Sequence, residues 1–292
     1  MREKKSKISA LVIAFAVLLT AVALPTMTYA KTTPKLSSVK NYYQSDEGWS
    51  LSNKVSYVYT QSGAIKKVNT ASYCDGAKNY SSNMKYTYKK KAKTVTATGK
   101  MYVGKSYQGK EVVKSTYYDK SLKHVKKTVR KVYDSSNNLI TKYIYTYTKK
   151  GVEKSYAYYV EGELLTKESY NFNKKGKRTD GTVTEYDANG TATEYQLKYS
   201  YKKGYTYETI MNSDGTVHSK SKYKTDAAGV DVYLYKTDYS YSSDESGNVT
   251  YSEVKYTYKN TYYKKGVSKG CLKTTIAYVN GEKKIKTTYK YK

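Results

Sequence analysis

Residues able to make or break bonds are few in this chain and poorly spaced for it. The only histidines, His124 and His218, each stand among lysines in strand-like segments. A solvated surface role explains them better than service as a base or ligand. Cys74 and Cys271 have no partner at the short spacing that metal sites use. Carboxylates such as Glu161/Glu163 and Asp244/Glu245 sit in turn-like sequence and read as solvated turn residues. A glycosidase pair would need carboxylates brought together in space by the fold. The glycines are scattered among turns and never form a phosphate loop before a helix. The expectation is a non-enzyme with no metal and no cofactor.

Binding chemistry is better supplied. Tyrosine accounts for 40 of 292 residues, against two Phe and one Trp. Many tyrosines recur as Tyr-x-Tyr, as at Tyr57/Tyr59, Tyr86/Tyr88, Tyr256/Tyr258 and Tyr289/Tyr291. A spacing of two puts both rings on one face of a strand. Tyr143, Tyr145 and Tyr147, with Tyr195, Tyr199 and Tyr201, are the candidate ligand-facing aromatics. Such a ladder stacks on sugar rings or bases, while neighbouring lysines hold phosphate or carboxylate groups. The plain alternative is that the rings only stabilise the sheet.

The elements that position these rings are short strands. Turn clusters such as Lys149-Lys150-Gly151, Asp187-Ala188-Asn189-Gly190 and Ser213-Asp214-Gly215 recur every 11–19 residues from Gly151 onward. Between them the sequence alternates, as in Thr193, Tyr195, Leu197, Tyr199, Tyr201 against Glu194, Gln196, Lys198, Ser200. No apolar stripe at helical spacing appears after the N-terminal segment. The expected fold class is all-β: a repetitive antiparallel meander of short hairpins in an open, twisted or wound single sheet. Lysines on the outer face of such a sheet discourage edge-to-edge association.

Tyr145-Thr-Tyr147-Thr-Lys-Lys-Gly151, Tyr57-Val-Tyr59-Thr-Gln-Ser-Gly63 and Glu185-Tyr186-Asp187-Ala-Asn-Gly190 carry a family resemblance. They are similar to the YD repeat of bacterial RHS-type surface and secreted proteins, over most of residues 55–292. Asp follows Tyr only at Asp119, Asp134 and Asp187, and the Arg usual after the Gly is absent. The resemblance implies a wound β-sheet at a bacterial cell surface and no catalysis by the repeats.

The first thirty residues are organised as a secretory signal. Arg2, Lys4, Lys5 and Lys7 precede an apolar run from Ile8 to Leu24, then Pro25 and an A-x-A-like site cleaved between Ala30 and Lys31. An uncleaved anchor is the rival reading. After cleavage no segment is apolar enough to cross a bilayer, and the mature chain is expected to be soluble outside the membrane. The expected organisation is a signal peptide at 1–30, an N-terminal linker segment at 31–54 and a Tyr/Lys-rich β-repeat domain at 55–292. The formal charge is +29, and +26 without the signal, in which Glu3 opposes the four basic residues. A field of that size attracts polyanions. Expected partners are anionic cell-wall polymers or glycans, with extracellular nucleic acid ranking below them. The expected location is secreted or wall-associated, with a Gram-positive origin. Cys74 and Cys271 fit an oxidising compartment, either as a disulfide across a long loop or as two separate thiols.

Overall fold

The computed structural model describes residues 34–292 apart from 75, 227–229 and 244–248. The signal segment with Ala30 and Lys31, and the pair Asp244/Glu245, lie outside the described residues. Eighteen strands follow one another: β1 Leu36–Ser45, β2 Gly48–Tyr59, β3 Ile65–Cys74, β4 Ala77–Lys89, β5 Thr94–Val103 and β6 Ser106–Tyr117. Then come β7 Val125–Asp134, β8 Leu139–Tyr147, β9 Glu153–Val160, β10 Glu163–Phe172, β11 Arg178–Tyr186 and β12 Ala192–Lys202. The last third comprises β13 Tyr205–Asn212, β14 Val217–Thr225, β15 Asp231–Ser243, β16 Val249–Tyr262, β17 Leu272–Val279 and β18 Glu282–Tyr291.

Every strand pairs antiparallel with its sequence neighbour, and β1 also pairs with β18. Val39 stands opposite Val55 on one side and Tyr289 on the other. Lys35 and Lys292 exchange backbone hydrogen bonds of 3.0 and 2.9 Å that finish the seam. The sheet is therefore a closed 18-stranded barrel, which corrects the expectation of an open, twisted or wound sheet. The all-β, antiparallel, neighbour-pairing part of that expectation holds. Residues 36–54, taken from sequence as linker, form β1 and the first half of β2, and β1 is the strand that closes the ring. Closure removes both unpaired strand edges, the physical hazard of so long a sheet.

The resemblance to RHS-type YD repeats is corrected as well, and one hairpin explains why it arises. Asp187 N donates to Thr191 O and Gly190 N to Asp187 O, each at 3.0 Å. The Asp187 carboxylate accepts from the N–H groups of Asn189 and Thr191 at 2.8 Å. Gly190 takes the left-handed φ of 79° that this three-residue loop requires. Thr148–Val152, Asn173–Lys177 and Asn212–Thr216 close with the same backbone pattern. A Tyr-Asp-x-x-Gly string thus encodes one local turn. It is silent on whether the strands wind into a shell or close into a ring.

Burial separates the two faces of the wall. Val39, Val55, Val68, Met84, Ala97 and Val113 are buried in one cluster, and register pairs Val39 with Val55, Val68 with Met84 and Ala97 with Val113 across neighbouring strands. The alternate positions Lys54, Lys85 and Lys114 are half-buried or exposed. No described element covers the wall from outside, so only the concave side can crowd its side chains. The buried face is the interior. Along β1–β8 that interior is closely packed, whereas on β9–β16 its tyrosines are mostly half-exposed.

Gly109 marks the tightest approach in this wall. Its φ is 137°, and a Cβ there would lie 2.0 Å from the Tyr133 carbonyl oxygen. Gly109→Ala is expected to destabilise the barrel by about 2–4 kcal/mol, as backbone must move. Gly151→Ala, strained only by its φ of 82° with nothing within 4 Å, should cost about 1–2 kcal/mol. Urea unfolding of the two variants tests this ordering.

Candidate functional site: a tyrosine-lined interior and a lysine-bearing exterior

Register carries all six candidate tyrosines to the interior face. Tyr143 and Tyr145 on β8 stand opposite Arg130 and Thr128 on β7, and opposite Tyr158 and Tyr156 on β9. The Tyr143 and Tyr158 rings stack at 4.7 Å and 14°, and Tyr145 meets Tyr156 at 5.0 Å. Tyr147 packs against the buried cluster of Ala64, Val95, Tyr117, Leu122 and Val125. On β12, Tyr195 lies 4.8 Å from the His218 ring, Tyr199 meets Tyr170 edge-on at 6.3 Å, and Lys177 sits 4.5 Å above Tyr201. The two groups are separated by β9–β11. They are parts of one interior lining, and not a ladder offered to the outside.

Two charged clusters bind this lining together, and the reading of the sequence missed both. Arg130 Nε donates to Glu111 Oε1 at 2.5 Å, with both side chains buried and the guanidinium 5.1 Å from the Tyr143 ring. Arg178 lies 3.7 Å from the Tyr170 ring and 5.8 Å from Tyr199. It also donates to the Glu153 carbonyl at 3.2 Å and lies 3.6 Å from that residue's carboxylate. Tyr170 donates its hydroxyl to Glu168. A signal for these clusters did exist. The chain has three arginines, and the two beyond the N-terminal segment, Arg130 and Arg178, both point inward. A planar guanidinium can stack on a ring and hold a carboxylate together, which an ammonium does less well.

Burial dominates the titration of the interior. It pushes the Glu153 carboxyl up to about 7; Arg178 pulls the other way and Glu168 adds repulsion. Burial likewise raises Glu168. The phenols of Tyr59, Tyr80, Tyr158 and Tyr289 are raised to about 12, in each case chiefly by burial. Backbone carbonyls accept from several hydroxyls: Tyr59 donates to Leu36 O at 2.7 Å and Tyr88 to Ile65 O at 2.5 Å. Each ring thus buries its body while its polar end finds a partner.

Outward positions carry most of the strand lysines, together with further tyrosines. Lys40, Lys54, Lys85, Lys114, Lys131 and Lys198 share that face with serine, threonine, some apolar residues and rings such as Tyr133, Tyr159, Tyr207, Tyr235 and Tyr239. Lys142 lies 3.9 Å over Tyr159, and Lys286 sits 5.3 Å over Tyr42 and 5.6 Å over Trp49. Their stems lie along rings while their ammonium groups stay in water. Lys236 is an inward exception, paired with Asp238 at 3.0 Å.

Cys74 ends β3 at one rim and is exposed; Cys271 is buried just before β17 at the other. The rims are roughly 25 Å apart for strands of this length and tilt, too far for a bond between the two sulfurs of one chain. His124 is exposed in the β6–β7 connection and gives its carbonyl to Tyr118 N at 3.0 Å. Among the described residues no cluster of His, Cys, Asp and Glu has the arrangement of a metal site.

No protein-family model matches this chain, and no curated protein does. Among solved structures it is similar to a porin-like protein from Bacteroides uniformis, 13% identical, with 89% of this chain and 99% of that one covered and a TM-score of 0.39. It is also similar to a porin-like protein from Bacteroides vulgatus, 10% identical, with the same coverage and a TM-score of 0.34. Both are porin-like proteins and neither is an RHS-type repeat protein. At these scores the likeness assigns no role to this chain.

Two titrations test the interior. For a carboxyl raised on folding, the stabilisation is present at low pH and lost as pH rises from the ordinary glutamate range through about 7. Wild-type melting temperature should therefore fall across that window, and Glu153→Gln should flatten the fall. A phenol raised on folding keeps its proton until pH nears the folded value. Ultraviolet difference titration of the native barrel should show a class of tyrosines that stays protonated to about pH 12 and ionises at once on unfolding.

Proposed function

We propose that this chain is an exported, non-catalytic protein of the cell envelope, a water-facing barrel held by its outward lysines to anionic envelope polymers. The observation that carries this reading is the placement of charge by strand parity: most strand lysines face outward, where they stand among outward tyrosines such as Tyr159, Tyr207 and Tyr235. A barrel that spans a bilayer needs the opposite, an apolar outer band. Each lysine at mid-bilayer on such a wall costs about 2–4 kcal/mol. Lys54, Lys85, Lys114, Lys131 and Lys198 alone make a sum comparable to the about 5–15 kcal/mol that holds a domain folded.

A polymer approaching from outside meets ammonium groups interleaved with outward rings such as Tyr159, Tyr207, Tyr235 and Tyr241, whereas Tyr143, Tyr145, Tyr147, Tyr195, Tyr199 and Tyr201 face inward. This weighs against stacking of sugars or of extracellular DNA on those six inward rings. Charge carries the polymer reading by itself and implies no organism. The similar solved structures come from Bacteroides, so the Gram-positive expectation draws no support from them.

Sedimentation with purified envelope, before and after extraction of its anionic polymers, tests the reading. Binding is expected at low salt, with a steep fall as salt rises and a loss on extraction. Replacing Lys54, Lys85, Lys114, Lys131 and Lys198 by Gln should weaken it at least tenfold. Binding that ignores both salt and extraction would defeat the proposal.

A further inference from the structure

The two rims of the barrel carry opposite charge, and we propose that the lysine-rich rim is a docking surface for anionic lipid headgroups, on which the barrel stands end-on. This goes beyond the polymer reading and uses different residues, the connections instead of the strands.

Antiparallel neighbours send successive connections to alternate rims. One rim holds the β2–β3, β4–β5, β6–β7, β8–β9, β10–β11, β12–β13, β14–β15 and β16–β17 connections, together with Lys35 and Lys292. Exposed lysine pairs occupy most of them, including Lys90/Lys91, Lys149/Lys150 and Lys174/Lys175. Lys120 with Lys123, Lys202 with Lys203, and Lys264 with Lys265 continue the series around the perimeter. The acids in these described connections are only two, Asp119 and Asp226. Asp119 accepts from Ser121 N at 2.8 Å, and Asp226 from Val230 N at 2.9 Å and Leu272 N at 2.7 Å. The opposite rim presents Asp46, Glu47, Asp134, Glu161, Asp187 and Asp214, with Lys105 as the lysine of its described connections.

Two features favour a planar partner. The lysine pairs share one rim around a closed perimeter about 35 Å across, so a flat surface reaches more of them than a linear polymer does. The acidic rim points away, and a negative surface therefore attracts one end of the barrel and repels the other. Each lysine held near an anionic surface contributes about fivefold in affinity.

Vesicle sedimentation of the chain from Lys31 onward, which contains every strand, tests the proposal. The vesicles are phosphatidylcholine alone or phosphatidylcholine with phosphatidylglycerol. A rim variant has Lys90, Lys91, Lys149, Lys150, Lys174 and Lys175 changed to Gln; a wall variant has Lys54, Lys85, Lys114, Lys131, Lys198 and Lys255 changed to Gln. Both lose the same charge, and a rim variant with Arg at the same six positions controls for folding. The wild type should bind only the anionic vesicles. Affinity should fall at least 100-fold in the rim variant, less than fivefold in the wall variant, and hold in the Arg variant. Equal losses in rim and wall variants, or no vesicle binding by the wild type, would overturn the proposal. So would rim-dependent binding to soluble polyphosphate without vesicle binding, which assigns the rim to a linear polymer.

Discussion

Backbone pairing between β1 and β18 divides this molecule into an inside and an outside, and every other property follows from that division. In an open sheet, period-two alternation yields two faces that both meet water, and a tyrosine ladder on one of them is a surface. Once Val39 has Val55 on one flank and Tyr289 on the other, the same alternation turns one face into a lining. The rings then pack on one another across neighbouring strands, and several of their hydroxyls find backbone carbonyls or carboxylates. Tyrosine suits that setting because it fills volume while its polar end can reach a partner.

Charge is sorted by the same division. Lysine keeps a strongly hydrated ammonium and tolerates the exterior, where its stem covers outward rings such as Tyr159 and Tyr42. Arginine, more weakly hydrated and planar, takes the interior positions on β7 and β11 and combines ring stacking with a carboxylate contact. The interior glutamates bear the cost of burial, which is why Glu153 holds its proton to near neutrality. A chain this basic would repel itself in a compact core. The barrel avoids this by placing lysines on a wide perimeter and at one rim.

Strands and turns were legible in the sequence because their rules are local. Alternation in Thr193 to Tyr201 and the Asp187 to Thr191 loop need no knowledge of distant residues. Closure is a relation between the two ends of the chain, and β1 concealed it. That strand carries a register shift between Leu36 and Ser38 and another opposite Asn41 and Tyr42. Its inward Asn41 bonds Asn53 at 3.3 Å where an apolar residue marks an interior face elsewhere. The six candidate tyrosines share one face while others, such as Tyr207 and Tyr239, take the opposite one, and sequence parity does not distinguish concave from convex. Glu111 and Arg130 were missed because a charged residue amid alternating apolar ones reads as solvated until its partner on the next strand is known.

The most direct measurement is a cross-link at the seam. In a background with Cys74→Ser and Cys271→Ser, Lys40→Cys combined with Thr288→Cys places two thiols directly opposite on β1 and β18. Lys40→Cys with Lys54→Cys does the same within the β1–β2 hairpin and serves as a control that forms whether or not the ring is closed. A closed barrel is expected to oxidise both pairs to intrachain disulfides. A hairpin pair that oxidises while the seam pair stays reduced would contradict closure, and with it the assignment of the six candidate tyrosines to the inside.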